Sequence, residues 1–289
     1  MKGIILAGGR GERLFPITRA ISKQLLPVYD KPMVFYPLCS LMRCGIREVL
    51  IITRPDEVER FRELLSDGTQ WGMEISYAAQ SAPGGIAEAP LIAADFLGEE
   101  PFALALGDNI FCGIEFDSCL DRAVAEHDGA TVFVKQVEHP ERYGVISFDG
   151  DGVPQKIVEK PTEPASPFAV TGLYLYDNAA IAMARALKPS VRGEIEITEI
   201  NDQYLRQSRL SVVQLPDSVS WLDMGTPQGL LEASRLVEAE QRTPGVRIGV
   251  PEQVALRSGW IDSEAAMRIA ASYADNDYGR YLRQLVESG

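Results

Sequence analysis

A short apolar run, Gly3-Ile4-Ile5-Leu6-Ala7, breaks at once into Gly8-Gly9-Arg10-Gly11-Glu12-Arg13. The run is long enough for one buried strand. The glycines that follow let the backbone turn sharply and approach a ligand with no Cβ in the way. Successive N–H groups of such a turn converge on one point and suit a phosphate. Up to residue 31, Lys or Arg stands at 2, 10, 13, 19, 23 and 31 against acids at 12 and 30, in a chain whose net charge is -13. A basic, glycine-rich opening on an acidic protein predicts a local anion site at the end of a strand.

By itself the loop leaves a plain tight turn and a dinucleotide site open. The dinucleotide fingerprint wants G-x-G-x-x-G, and Leu14 stands where its third glycine belongs. A P-loop is absent too, since no Gly-Lys-Ser/Thr follows.

The 289 residues suffice for one large α/β domain with an appendage. A pI near 4.7 argues against nucleic acid and anionic membranes as partners, because both would be repelled. Cys39, Cys44, Cys112 and Cys119 show no C-x-x-C spacing, and with only two histidines the usual zinc sets cannot form. The thiols are expected reduced and packed, in a cytoplasmic protein. No run reaches the roughly 18 apolar residues of a membrane span.

Beyond the loop the pattern alternates. Met33 to Cys44 has helical spacing, entered through Lys31-Pro32 and stopped by Gly45. Glu48 to Thr53 is an apolar strand, and Pro55 to Ser66 a charged helix with Val58, Phe61, Leu64 and Leu65 inward. Glu74 to Ala79 is a third strand, ending at Gln80, where open α/β sheets bind ligands. The Gln80 amide offers an acceptor and a donor, the complement of a thymine or uracil edge. The turn Pro83-Gly84-Gly85 leads into a helix from Ile86 to Phe96, and Phe102 to Leu106 is a buried strand ending in Gly107-Asp108-Asn109. This alternation predicts βαβ units and a mainly parallel sheet.

Glu115 to His127 reads as a helix and Thr131 to Lys135 as a strand. Two strands about Asp149-Gly150-Asp151-Gly152 predict an antiparallel hairpin that ends at Glu159-Lys160-Pro161. Helices follow at Asp177 to Leu187 and Glu196 to Ser208, with a strand from Leu210 to Leu215. From Thr226 the chain is mostly helical, with Leu230, Leu231, Ala233, Leu236 and Val237 on its core face, then short helices at Pro251-Glu252, Gly259 to Asp262 and Tyr278 to Leu282. Taken singly, Asp108, Asp223, Glu194 and Glu196 read as helix caps, with orientation of basic site residues the alternative for Glu194 and Glu196, Gln80 as a polar turn residue, and Glu159-Lys160 as a solvated strand edge.

Together these pieces resemble a known family. G-G-x-G-x-R-L-x-P at 8–16 with Ser22-Lys23-Gln24-Leu25-Leu26-Pro27-Val28, the tetrad Leu106-Gly107-Asp108-Asn109, the series Tyr143-Gly144, Glu159-Lys160-Pro161, Val170-Thr171-Gly172-Leu173-Tyr174, and Trp221-Leu222-Asp223-Met224-Gly225 are similar to the motifs of the sugar-1-phosphate nucleotidyltransferases. The resemblance covers essentially the whole chain. It implies a Rossmann-like three-layer α/β fold with a mainly parallel central sheet, a small antiparallel sugar-binding unit and C-terminal helices. Residues 1–225 would be the catalytic domain, with a nucleotide half at about 1–110 and a sugar half at about 111–225. Residues 226–289 would pack on the same domain and supply subunit contacts of a homotetramer.

The implied reaction is Mg²⁺-dependent transfer of a thymidylyl group from dTTP to α-D-glucose 1-phosphate. The resemblance places Arg13 on the triphosphate, Lys23 near the α-phosphate and Lys160 on the sugar phosphate. Leu6, Gly8, Gly9, Gly11, Gln80 and Gly85 would contact the nucleotide, and Tyr143, Gly144, Glu159 and Val170 the sugar. Asp108 and Asp223 would hold Mg²⁺. Use of UTP or of another sugar phosphate stays open, since one methyl is worth only about 1–3 kcal/mol of discrimination. A noncatalytic regulatory binder and a Rossmann oxidoreductase are the alternatives of other classes. Arg10, Glu12 and Glu88 depart from the family pattern in the loop and base pocket. Cys112, Asp117, Ser118, Asp217 and Gln253 depart from it at a second nucleotide site, which implies weakened or altered feedback inhibition by a dTDP-sugar.

Overall fold

The computed structural model describes residues 1–82, 84–243 and 245–287; Pro83, the first residue of the turn expected before Gly84, lies outside them. The chain begins with β1 (Lys2–Ala7), whose alternate residues face opposite layers: Ile5 and Ala7 pack in one core, Ile4 in the other. A two-strand hairpin, β2 (Pro27–Val28) and β3 (Lys31–Pro32), precedes α1 (Phe35–Arg43). Then come β4 (Glu48–Thr53), α2 (Val58–Leu65), β5 (Glu74–Ala79), the short α3 (Ala89–Ile92) and α4 (Ala94–Leu97), and β6 (Phe102–Leu106).

The second half holds β7 (Asn109–Cys112), α5 (Phe116–Ala125), β8 (Ala130–Gln136), β9 (Gly144–Phe148), β10 (Pro154–Glu159) and β11 (Phe168–Tyr176). It continues through α6 (Ala179–Ala186), α7 (Ile197–Arg206), β12 (Leu210–Gln214) and β13 (Ser220–Asp223). The chain finishes with α8 (Pro227–Gln241), α9 (Pro251–Arg257), α10 (Ser263–Ser272) and α11 (Asp277–Glu287).

Nine of the described strands form one sheet. Within it β1, β4, β5, β6, β8, β9 and β12 run one way, and β10 and β11 the other. The expected mainly parallel sheet is therefore present, with its middle crossed by one long antiparallel strand. That strand creates the cavity. One edge of β11 pairs with β6 at Leu173–Tyr176 and with β9 at Ala169, leaving residues 170–172 unpaired on that side. The β9–β10 hairpin thus swings away from the end of β6.

Helices α1, α2 and α5 cover one face through Leu38, Leu41, Phe61, Leu65, Phe116 and Leu120. The short α3 and α4, with α6 and α7, cover the other through Ala89, Leu97, Ile181, Ile200 and Tyr204. In α8, Ala233 and Val237 close a third cluster over Val28, Met33 and Ile110, and α9 packs on α1. No helix among the described residues is long and apolar enough to cross a membrane.

Four local expectations differ. Lys31-Pro32 is strand rather than helix entry: it pairs with Pro27–Val28, and buried Lys31 donates to Asp30 and to Gln241 of α8. The expected helix from Ile86 to Phe96 breaks into a tight turn at Ile86–Glu88 and the two short helices; Pro90, with no N–H to continue the ladder, accounts for the first of the two breaks. Leu231 is exposed, off the core face of α8. Gly259 to Asp262 is a connection, with Asp262 capping α10 through Ala265 N–H at 2.7 Å.

The cysteines are free thiols, as expected. Burial pushes Cys39, Cys44 and Cys112 from 9.0 to about 12. At pH 8 that leaves roughly 10³-fold less thiolate than in an ordinary thiol. Alkylation at pH 8, read by mass spectrometry, should therefore spare these three in the native protein and label them readily in guanidinium. Native labelling at the rate of free cysteine would contradict the packing described.

Candidate active site

The carboxyl ends of β1, β5 and β6 meet along one edge of the sheet, and the chain leaves each with a different chemistry. After β1, Gly11 takes a left-handed turn (φ 62°), its carbonyl held by Thr18 Oγ1 at 2.7 Å and by Leu14 N–H at 2.9 Å. A side chain on Gly8 would collide with the Gln80 amide oxygen. Gly11 is required by its backbone angle, and Gly8 leaves the space that the Gln80 amide occupies. Gln80, buried after β5, is tied to β4 by its N–H to the Thr53 carbonyl at 2.7 Å. Leu6 is half-buried in the core, and its carbonyl accepts from Gly107 N–H at 2.9 Å. Gly85 (φ 98°) leaves no room for a Cβ against the Ile195 backbone, so its first role is to let those two segments touch.

After β6, Asp108 enters the cleft and β7 turns back to pair with β13. The register sets Asn109 opposite Asp223, and Met224 N–H donates to the Asp108 carbonyl at 2.9 Å. Two carboxylates far apart in sequence therefore stand side by side. Lys23, held in the tight turn Lys23–Leu25, donates to Asp108 Oδ2. Arg13 Nη2 lies 3.8 Å from Asp223 Oδ2, and Gly225 N–H donates to Asp223 Oδ1 at 2.9 Å. Burial raises the Asp108 carboxyl, but the Lys23 charge and hydrogen bond outweigh it and hold it below the ordinary value. Asp223 is pushed up, first by burial and then by the charge of Asp108. It does not cap α8: Thr226 does, accepting from Gly229 N–H at 3.1 Å.

Such a pair suits a hard divalent cation. Among the described residues no group of three or more His, Cys, Asp or Glu could cage a metal alone. Magnesium takes one or two carboxylates and completes its shell with phosphate oxygens and water, and the Asp108–Asp223 donor set fits that requirement.

Beside the carboxylates, the gap left by β11 opens into a cavity of about 450 Å³ that includes Arg13, Tyr143, Gly144, Lys160, Val170 and Asp223 in its lining. Tyr143 and Trp221 form one wall, ring centroids 5.0 Å apart. Lys160 sits in a left-handed conformation (φ 40°), its N–H donating to the Tyr143 carbonyl at 3.0 Å, with Nζ 3.5 Å from Glu159 Oε1. Thr198 Oγ1 donates to the other Glu159 oxygen. A strained backbone angle at a lysine in a cavity wall is a mark of positioning.

Residues 2–240 match the family model described as nucleotidyl transferase. The chain belongs to the nucleotidyl transferase family. It is 52% identical over 288 residues to the glucose-1-phosphate thymidylyltransferase of Xanthomonas campestris pv. campestris (strain B100), covering 100% of this chain and 98% of that one. It is 49% identical over 287 residues to the Neisseria meningitidis serogroup A protein of that name, covering 99% and 100%. Among solved structures, a Bacillus anthracis protein described as a glucose-1-phosphate thymidylyltransferase, in complex with a sucrose, superposes with TM-score 0.76 at 39% identity, over 82% of this chain and 94% of that one. A UDP-glucose pyrophosphorylase complexed with UDP-glucose does so with TM-score 0.72 at 26% identity, over 82% and 98%.

This nucleotidyl transferase brings all the expected charged site residues to one cleft, and adds two that sequence reasoning passed over. Asn109 is buried at the crossing of three strands: its Oδ1 accepts from Gly172 N–H at 3.0 Å and Trp221 Nε1–H at 2.6 Å, and its Nδ2 donates to Asp108 Oδ1 at 3.2 Å. Arg192 reaches the cavity from the loop before α7, within 3.3 Å of Glu159 and Glu196 and 2.9 Å of Glu194. Glu194 and Glu196 thus serve that arginine rather than cap α7, whose N-cap Glu196 makes no side-chain cap bond. Asn109 had a signal in its place after Asp108; Arg192, in a Gly-flanked polar loop, had none. Of the residues expected to depart from the family pattern, Asp117 pairs with Arg43 at 3.1 Å and Gln253 is buried.

Asn109→Ala would leave the indole N–H and the Gly172 N–H unpaired, at about 1–3 kcal/mol each. The melting temperature should fall by several degrees, and activity should fall further than stability because Asp108 loses its lateral support. An unchanged melt would show that Asn109 is not the tie between β7, β11 and β13.

Proposed function

We propose that this cleft transfers a thymidylyl group from dTTP to α-D-glucose 1-phosphate, giving dTDP-glucose and pyrophosphate. The observation that carries the reading is the meeting at Asp108 and Asp223 of two unlike spaces. One is a basic, glycine-lined loop suited to a triphosphate, and the other a half-polar cavity sized for a sugar phosphate. The full-length similarity to proteins named for this activity supports the choice of substrates.

In the proposed step a phosphate oxygen of the sugar phosphate attacks the α-phosphorus of dTTP. The new P–O bond forms as the bond to the pyrophosphate oxygen breaks. The phosphate is already an anionic nucleophile, so positioning and charge neutralisation suffice. The N–H groups at Gly8, Gly9 and Gly11 and the exposed Arg13 guanidinium bind the triphosphate and then the leaving pyrophosphate. Lys23, shared with Asp108, steadies the α-phosphate. Lys160 holds the sugar phosphate, and Glu159, fixed by Thr198 and Arg192, accepts from sugar hydroxyls. Tyr143, Gly144 and Val170 shape the walls of that cavity. Mg²⁺ held by Asp108 and Asp223 would supply charge neutralisation at the phosphate oxygens.

Pyrophosphate release with glucose 1-phosphate and Mg²⁺, run with dTTP, UTP, dCTP, ATP and GTP in parallel, should be strongest with dTTP. Release mainly with any other nucleotide would overturn the choice of dTTP, and release with none would overturn the reading whole. Lys160→Met removes one charge-assisted contact, worth about 1.5–3 kcal/mol. It should raise KM for the sugar phosphate roughly 10–100-fold while KM for dTTP moves little; equal effects on both would move Lys160 out of the sugar site.

A further inference from the structure

Gln80 can present its amide to a base in two ways round, oxygen first or nitrogen first, and only one of them reads thymine. Its side chain is buried, and Nε2 donates to Glu88 Oε2 at 2.5 Å. The amide oxygen lies in the space that a Cβ on Gly8 would fill, so it faces the glycine loop. Gln80 and Gly8 share the lining of a second cavity, of about 430 Å³.

We propose that Glu88 is a positioning residue that fixes the orientation of the Gln80 amide and thereby excludes cytosine from the base pocket. The inference rests on the thymidylyl-transfer reading above. A carboxylate has no proton to give, so only the NH₂ end of an amide can face it. Turning the amide over would set two oxygens against each other in a half-buried site. With that orientation fixed, Gln80 offers the nucleotide one acceptor, Oε1, and the second hydrogen of Nε2. A thymine or uracil edge, N3–H beside the O4 carbonyl, answers both. Cytosine, with an N3 acceptor beside an N4 amino group, answers neither, and would require the amide reversed.

Glu88 is itself held still. Its neighbours Ala87 and Ala89 are fully buried. Ala87 N–H donates to the Ile195 carbonyl at 3.2 Å, and Ile195 N–H donates to the Gly84 carbonyl at 2.8 Å. A Cβ at Gly84 would strike the Glu88 carboxylate, so that glycine makes room for it. The carboxylate therefore has a built seat with the Gln80 amide as its partner.

The test is steady-state turnover of the full chain with dTTP and with dCTP, comparing the unmodified protein with Glu88→Gln and Glu88→Ala. Glutamine at 88 can donate or accept, and alanine can do neither, so both release the amide to turn. The ratio of kcat/KM for dTTP over dCTP should fall roughly tenfold or more in both variants. The loss with dTTP should appear in KM more than in kcat, and the melting temperature should stay close to that of the unmodified protein. A ratio unchanged in either folded variant, or an equal fall in kcat with both nucleotides, would overturn the inference and leave the transfer reading standing. Absence of dTTP turnover by the unmodified protein would overturn both.

Discussion

One short antiparallel pair, β7 against β13, sets the terms for everything else in the cleft. Neither strand belongs to the main sheet, yet their register places Asp108 beside Asp223 and so joins two segments more than a hundred residues apart at one point. Two half-buried carboxylates repel one another and resist desolvation, and the structure answers with Lys23 on the first and Arg13 near the second. The Asn109 side chain ties the arrangement together, its Oδ1 accepting from β11 and β13 and its Nδ2 donating to Asp108. The site is electrostatically expensive by construction, which is what a site that must recruit cationic charge and anionic phosphates together requires.

The second constraint is the divided edge of β11. A sheet that paired fully would have filled the space beside Asp108 with strand. Because β6 takes one end of that edge and β9 the other, residues 170–172 line a cavity instead of pairing with a strand of the sheet, and Gly172 gives its N–H to the Asn109 side chain. The loop carrying Arg192 spans this gap: its arginine reaches Glu159 on the sugar side, while Ile195 bonds to Gly84 and Ala87 on the nucleotide side. One loop thus touches both of the proposed substrate spaces.

Much of this was legible in the residues. Short apolar runs such as Phe102–Leu106, set between Pro101 and Gly107, read as buried strands by length and flanks, and their alternation with amphipathic helices such as Val58–Leu65 points to a layered α/β sheet. What escaped was set by tertiary pairing. Lys31-Pro32 carries a permissible helix start, and only its partner Pro27–Val28 makes it strand. Asp223 taken singly has the look of a cap; only the family resemblance set it with Asp108, because their meeting depends on a contact between distant segments. Arg192 has no periodicity or motif around it, and its importance lies in three glutamates from two different elements. Leu231 sits one step off the stripe of Ala233 and Val237, a displacement that helical spacing resolves poorly when leucines are adjacent.

The proposed reaction needs carboxylates from the two halves to act together on one divalent cation in the nucleotide complex. Mn²⁺ binding in the presence of dTTP, followed by electron paramagnetic resonance, tests it most directly in the unmodified protein and in Asp108→Asn and Asp223→Asn. The account predicts that each substitution weakens Mn²⁺ binding at least roughly tenfold, the loss expected when one of two carboxylates is removed from a hard-cation site. Wild-type Mn²⁺ affinity in both folded variants would contradict it.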